Sequence, residues 1–296
     1  MTILELSLLT VSCLALNAPS AQCWQKQVPI NEPQVQAARV LAPVLTGVAQ
    51  DVVLTAEAAL VWDLASGRIL FERQIDQRRP IASVTKLLSA LTVRENLALS
   101  DVVIIPPEVT AVQAYGAQIG LPVGEHSTVK ELLSASLIAS ANDAMLTLAL
   151  AVAGSEEDFA ALASSWGRAV GLGQTRAANS TGLSGGDQYS SARDVMRLMS
   201  LAYQDIELRA MLAAPKGVLE TREGKHLAYR STNKLVNTYV PIKAAKTGYT
   251  RAAGQNLVII TEGAAGQEIG AIILGSTSRF QDMKVLIEWV WRNYSW

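Results

Sequence analysis

The chain has 296 residues, half of them apolar, with 25 basic against 26 acidic side chains and a formal net charge of −1. That suffices to bury one large core, or a domain with a subdomain, and the interspersed, nearly balanced charges exclude the basic stripe of a nucleic-acid footprint. No apolar run is long enough to span a bilayer, and two histidines (His126 and His226) with two cysteines near the N-terminus argue against a zinc centre or a disulfide framework.

In chain order, Ile3 to Leu16 are apolar and small residues follow at Ala18, Ser20 and Ala21, the pattern of a signal peptide over 1–21, although its start carries Glu5 and no basic residue. Cleavage there leaves Cys23 without Cys13 as a partner. Residues 22–55, polar and alanine-rich with Pro29, Pro33 and Pro43, predict a linker or short helical arm ahead of a domain over 56–296. Ala58 to Asp63 and Arg68 to Glu72 flank Ser66-Gly67 and predict a β-hairpin. Pro80 stops regular structure, and a helix is expected from about Ser83 to Asn96, with Leu87, Leu88 and Leu91 at helical spacing. Val102 to Gly124, with Pro106-Pro107 and several glycines, predicts irregular structure. Helices follow over Val129 to Ala139, Ala141 to Ala153 and Glu156 to Val170, the last entered through Ser155 as N-cap with Asp158 three residues on and closed by Gly171 and Gly173. A loop spans Asn179 to Gly186, and Ser190-Ser191 introduces a helix over Ala192 to Tyr203. Lys216 to Thr221 and His226 to Arg230 flank Glu223-Gly224 as a second hairpin. Three strands come next, Ala244 to Thr247, Gln255 to Thr261 and Glu268 to Gly275. A terminal helix over Arg279 to Tyr294 places Phe280, Met283, Ile287, Val290, Trp291 and Tyr294 on one stripe. Its polar face (Asp282, Glu288, Arg292) is not the basic face of a membrane-lying helix, so packing on a sheet is expected. Strands at both ends with helices between them fit one sheet assembled from distant segments, an α+β fold. No internal repeat or low-complexity tract is present.

Chemistry concentrates at Ser83-Val84-Thr85-Lys86. At positions i and i+3 a hydroxyl and an amine share one helix face, a candidate nucleophile–base pair. His126 follows Gly124-Glu125 in a loop and His226 sits in a hairpin, so both read as ordinary exposed residues and the base falls to lysine. Bringing an amine from about 10.4 to about 7 costs roughly 4–5 kcal/mol, supplied by burial or a neighbouring cation. Two further stretches stand out, Ser140-Ala141-Asn142 between apolar helical segments and Lys246-Thr247-Gly248 at a strand.

The three motifs, each in order and in context, with Pro80-Ile81-Ala82 ahead of Ser83, Asp143-Ala144 after Asn142, and Tyr249-Thr250 with Ala253-Gly254 after Gly248, resemble the low-molecular-mass penicillin-binding proteins, the serine D-Ala-D-Ala carboxypeptidases and endopeptidases, from about Ala56 onward. The resemblance implies an antiparallel sheet flanked by helices with an inserted all-α subdomain (about 100–195). It implies a catalytic set of Ser83 as nucleophile, Lys86 as base, Ser140 as proton relay, Asn142 and Lys246. Asn142, being uncharged, hydrogen-bonds Lys86 without favouring its protonation. On the substrate side it implies Thr247 and Lys246 at the terminal carboxylate, Gly248 for close backbone approach, and an oxyanion hole from the N–H groups of Ser83 and Tyr249. One departure is visible. Many carboxypeptidases carry arginine just before the asparagine of a motif ahead of Lys-Thr-Gly, and Arg230-Ser231-Thr232-Asn233 puts Thr232 there. Arg230 or Arg251 is then the alternative carboxylate partner, and the arrangement is closer to the short endopeptidases, which lack an extra C-terminal β-domain. The implied partners are peptidoglycan stem peptides and acylating β-lactams, with no metal, cofactor or nucleic acid, in a periplasmic or extracytoplasmic setting with membrane association left open. Two other readings compete. A class A-like β-lactamase wants a glutamate roughly thirty residues beyond Ser-x-Asn, and the window from Gly173 to Gly185 holds no carboxylate. A catalytically silent penicillin- or wall-binding protein sits poorly with an intact motif set.

Overall fold

The computed structural model describes residues 42–47 and 51–296. The expected signal peptide over 1–21, both cysteines and residues 22–41 of the arm lie outside them. In chain order the elements are β1 (Val44–Leu45), β2 (Ala58–Asp63), β3 (Ile69–Arg73), a 3₁₀ turn (Ala82–Thr85), α1 (Lys86–Asn96), β4 (Val102–Ile104), α2 (Val109–Gln113), β5 (His126–Thr128), α3 (Val129–Ile138), α4 (Asn142–Ala153), α5 (Glu156–Ala169), α6 (Ala192–Gln204), α7 (Ile206–Ala213), β6 (Lys216–Glu220), β7 (His226–Arg230), β8 (Ile242–Thr250), β9 (Gly254–Glu262), β10 (Glu268–Ser276), α8 (Arg279–Asn293) and β11 (Tyr294–Ser295).

Five strands form one antiparallel sheet in the order β3-β2-β10-β9-β8. The N-terminal hairpin thus pairs with a C-terminal meander, as strands at the two ends of the sequence require. The central strands are apolar throughout because both faces are covered. Val258 and Ile260 of β9, with Leu60 of β2 and Ile272 of β10, join a core built with α1, α3, α4, α5 and α6. Their neighbours Leu257, Ile259, Val61 and Ile273 pack on the other face against Met283, Leu286, Ile287 and Val290 of α8. The terminal helix therefore lies on the sheet. Val52 and Leu54 belong to the same second core, and β1 pairs with β11, so the packed body reaches back into the expected arm.

Helix ends follow their local chemistry. Thr128 and Glu131 form a reciprocal capping box on α3, and Ser155 and Ser191 cap α5 and α6 by accepting from Asp158 N and Asp194 N. Helix α7 was not expected from the sequence. It follows α6 without a loop because Asp205 ends one helix and caps the next, accepting from Glu207 N and Leu208 N. The expected helix start at Ser83 differs too: a 3₁₀ turn carries Ser83, and the α-helix proper begins at Lys86. Ala82 at φ +49° stops helical geometry from extending further back.

Candidate active site

In a 3₁₀ turn residues i and i+3 nearly eclipse, which sets Ser83 Oγ and Lys86 Nζ 3.1 Å apart. Ser83 is half-buried, whereas Lys86 is completely buried beneath it. The amine donates to Asn142 Oδ1 at 2.7 Å and to the Thr181 carbonyl at 2.8 Å. Those two acceptors determine what the amine can do. A neutral amine has two N–H bonds, both committed to fixed oxygens, so its lone pair faces the third neighbour, the Ser83 hydroxyl. Burial holds Lys86 well below the usual lysine range, the Lys246 ammonium adds to the effect, and the carboxylates of Asp143 and Glu156 oppose it.

Asn142 opens α4 with its side chain buried. Its amide donates to the Tyr115 carbonyl at 3.0 Å, and its backbone N–H to Ala117 O at 2.8 Å. Next to it, the buried Asp143 carboxylate accepts from the backbone N–H groups of Ile119, Gly120 and Leu121, at 3.2, 3.0 and 3.1 Å. Asp143 thus organises the 115–121 loop that orients Asn142. Ser140, at φ +62°, is a strained non-glycine residue at the mouth of the same helix. Its Oγ accepts from Lys246 Nζ at 2.9 Å. Lys246 projects from β8, is buried, and also donates to Thr247 O at 3.1 Å. Burial pushes its amine down to about 7, with the Arg279 guanidinium contributing.

The structure thus brings Ser83, Lys86, Ser140, Asn142 and Lys246 into one cluster, with Thr247, Gly248 and Tyr249 following along β8. Thr247 Oγ1 lies 2.5 Å from Thr232 Oγ1, so the threonine in the departed slot touches the Lys-Thr-Gly strand directly. Gly248 has a packing reason the sequence did not supply: a Cβ there would stand 2.6 Å from Ile81 O and 3.1 Å from Val84 N. The glycine lets β8 abut the turn that carries Ser83. Arg230, at the end of β7, and Arg251, in the β8–β9 turn, are exposed. His126 is engaged by the Glu223 carboxylate at the hairpin tip, and His226 is exposed.

Sequence reasoning missed three contributors. Thr181 acts through a main-chain carbonyl, which has no side-chain signature. Glu156 reaches the loop that carries Thr181, accepting from Ser180 N at 2.8 Å and Ser180 Oγ at 2.5 Å. Arg279, at the head of α8, donates to Gly248 O at 2.8 Å, while its buried Nε has no partner among the described residues. Its position just after Ser278 at a helix start was the one available signal. No group of three or more histidine, cysteine or carboxylate side chains fit to hold a metal occurs among the described residues.

A family model described as D-alanyl-D-alanine carboxypeptidase matches residues 45–278. The D-alanyl-D-alanine carboxypeptidase DacF of Bacillus subtilis is 30% identical over 235 residues, 78% of this chain and 60% of that protein's length. A D-alanyl-D-alanine endopeptidase of Pseudomonas aeruginosa is 31% identical over 243 residues, 80% of this chain and 77% of its own. Among solved structures, a D-alanyl-D-alanine carboxypeptidase from Mycobacterium tuberculosis superposes with a TM-score of 0.76 at 25% identity, over 85% of this chain and 96% of that one. The Streptomyces K15 DD-transpeptidase shares the fold, with a TM-score of 0.76 at 24% identity over 82% of this chain and 99% of that one. With its three motifs in one cluster and a family match over most of its length, this chain belongs to the D-alanyl-D-alanine carboxypeptidase family.

Proposed function

We propose that the protein is a serine-type D-Ala-D-Ala peptidase that cleaves peptidoglycan stem peptides, as carboxypeptidase or endopeptidase, through an acyl-enzyme on Ser83. The observation that carries this reading is the buried Lys86 amine, held by Asn142 Oδ1 and Thr181 O with Ser83 Oγ as its remaining neighbour. Ser83 Oγ attacks the scissile carbonyl and its proton passes to Lys86 Nζ. The developing oxyanion is held by the N–H groups of Ser83 and Tyr249, a kind of contact worth about 3–4 kcal/mol. Ser140 Oγ hands a proton to the leaving amine and recovers one from Lys246 Nζ, which already points at it. Water then releases the acyl group by the reverse path.

Substrate enters as an extended peptide along β8, an edge strand with no sheet neighbour beyond it among the described residues. Its terminal carboxylate is received by Thr247 and by Arg279, whose guanidinium already lies on the Gly248 carbonyl. Export by the 1–21 leader places the enzyme outside the cytoplasm, in the periplasm or its equivalent.

Intact-mass measurement after benzylpenicillin is the test. A stoichiometric adduct is expected on wild type and none on Ser83→Ala, with the adduct persisting for minutes while crosslinked or uncrosslinked muropeptides are turned over. An adduct on the alanine variant sinks the assignment of Ser83. Loss of the wild-type adduct within a second favours the β-lactamase reading instead.

A further inference from the structure

The second acceptor on Lys86 comes from the 179–183 loop, outside all three motifs. That loop is braced internally by Asn179, whose Oδ1 accepts from Thr181 N, Thr181 Oγ1 and Gly182 N at 3.2, 3.1 and 2.7 Å. It is braced towards α1 by Ser89 Oγ, one turn beyond Lys86, which donates to Ser180 O at 2.7 Å. On the outer side the loop borders an open pocket of about 550 Å³, lined by Val112, Leu146, Leu150 and Leu183, with Glu156 and Thr181 in its wall. On that side the Glu156 carboxylate takes both the N–H and the hydroxyl of the fully buried Ser180, and Gln188 Nε2 donates to the Leu183 carbonyl at the end of the loop. Glu156 is the first residue of α5, and the α5 cap is supplied by Ser155, so the carboxylate is not needed to start its own helix.

We propose that Glu156 is a positioning residue for the Ser83–Lys86 step: by clamping Ser180 it fixes the Thr181 carbonyl that occupies one N–H of the neutral Lys86 amine and so aims the lone pair at Ser83. The inference rests on the reading of Ser83 as nucleophile and Lys86 as base. Glu156 touches neither substrate nor the reacting atoms and acts through Ser180 and Thr181. It also acts through charge. Lys86 is faced by the Lys246 cation from β8, which disfavours its protonation, and by the carboxylates of Asp143 from α4 and Glu156 from α5, which favour it. Clamp and charge separate by substitution. Glutamine at this position can still accept from Ser180 N and donate to Ser180 Oγ, but carries no charge; alanine removes both.

The test follows benzylpenicillin acylation of the full chain by stopped flow across pH, with the adduct site verified by mass and melting temperature measured in parallel. For Glu156→Ala the plateau acylation rate constant falls roughly 10- to 100-fold with little change in the preceding binding constant, the scale expected of an ångström-level misplacement. For Glu156→Gln the plateau stays within about threefold, since the clamp remains, and the acid limb moves to lower pH because an anion facing Lys86 is gone. Ser180→Ala, which keeps the backbone bond, loses an intermediate amount. Glu157→Gln, exposed one residue on, changes neither, and Leu150→Ala in the cavity wall lowers the melting temperature without moving the acid limb. A Glu156→Ala plateau equal to wild type overturns the inference. So does a rate loss no greater than that of Leu150→Ala at equal loss of melting temperature, or an unshifted limb in Glu156→Gln. Absence of the wild-type adduct at Ser83 would instead overturn the parent reading.

Discussion

Two lysines, Lys86 and Lys246, are among the largest fully buried side chains of the described residues, and neither has a carboxylate within hydrogen-bonding reach. Burial without an ion-pair partner favours the neutral amine, which Lys86 must be to act as base, whereas Lys246, at about 7, holds both forms near neutral pH and can return a proton to Ser140. Arginine cannot supply one, since its guanidinium stays protonated in proteins. Lys86→Arg is therefore expected to lower penicillin acylation at least about 100-fold, the scale of a lost general base, as stopped-flow kinetics would show; near-wild-type acylation would make Lys86 structural. Lys246 has a thermodynamic signature as well. Its folded-state value of about 7 lies below the ordinary 10.5, so between those limits the unfolded chain binds more protons. Stability from this group then rises with pH from about 7 to 10.5, and the full cost applies below 7. Lys246→Met is expected to be more stable than wild type at pH 6, by roughly 3–5 kcal/mol from the size of the displacement, with the gain shrinking towards pH 10. Urea denaturation at a series of pH values reads this; a pH-independent difference would refute it.

At the scale of elements, the Ser83 turn, β8 and the 179–183 loop abut one another beside the Ser140–Asn142 segment that opens α4. Gly248 and Gly182 set their spacing. A Cβ at Gly182, with φ +80°, would stand 2.0 Å from Ala82 O and 3.0 Å from Ser83 N. Gly171, which closes α5, has a similar φ of +84° and nothing within 4 Å of an added Cβ. The pair separates conformational strain from contact. Gly171→Ala is expected to cost about 1–2 kcal/mol, the left-handed penalty, with acylation unchanged. Gly182→Ala bears the same strain plus a backbone clash, so stability falls further and acylation falls with it, because the loop must withdraw from the serine turn. Urea midpoints and acylation rates of the two variants test this; equal effects would show that the close approach at Gly182 does not matter.

Over the described residues the five-stranded sheet is covered by helices on one face and by α8 on the other. Beside the packing of Val52 and Leu54 against α8, the buried side chain of Asp282 ties the segment before β2 to the head of that helix. Asp282 accepts from Thr55 N and Thr55 Oγ1 at 3.2 and 2.7 Å, and from Ser276 Oγ at 2.7 Å, joining the segment before β2, the end of β10 and the head of α8. Removing the acceptor takes two bonds from the exposed Thr55 and one from the buried Ser276 hydroxyl, which keeps Thr55 Oγ1 as a neighbour; hydrogen bonds to a charged group contribute about 1.5–3 kcal/mol each. Asp282→Ala is expected to lower unfolding free energy by about 2–4 kcal/mol in a single cooperative transition. A loss below about 0.5 kcal/mol would show that the tie is redundant.

Several features were legible in the residues alone. The hairpin of β2 and β3, the capped helices α5 and α6 and the stripe of α8 follow from apolar period, cap residues and turn dipeptides, all of which act within a few positions. The Ser83–Lys86 pair was legible for the same reason, as spacing i to i+3 places two side chains together with no help from the rest of the chain. Helix α7 escaped because its cap, Asp205, doubles as the end of α6, leaving no break to see. What the tertiary structure alone decided is the environment of the lysine amine. The Thr181 carbonyl is 95 residues from Lys86, and every residue type has such a carbonyl. Glu156 lies 24 residues from Ser180 and 14 after Asn142, and meets Ser180 only once α5 and the following loop have folded back over the site. Arg279 comes 31 residues after the Gly248 carbonyl it binds. Local spacing names the groups that can react, but the protonation state and aim of an amine depend on desolvation and on acceptors from distant segments, which exist only once the chain has packed.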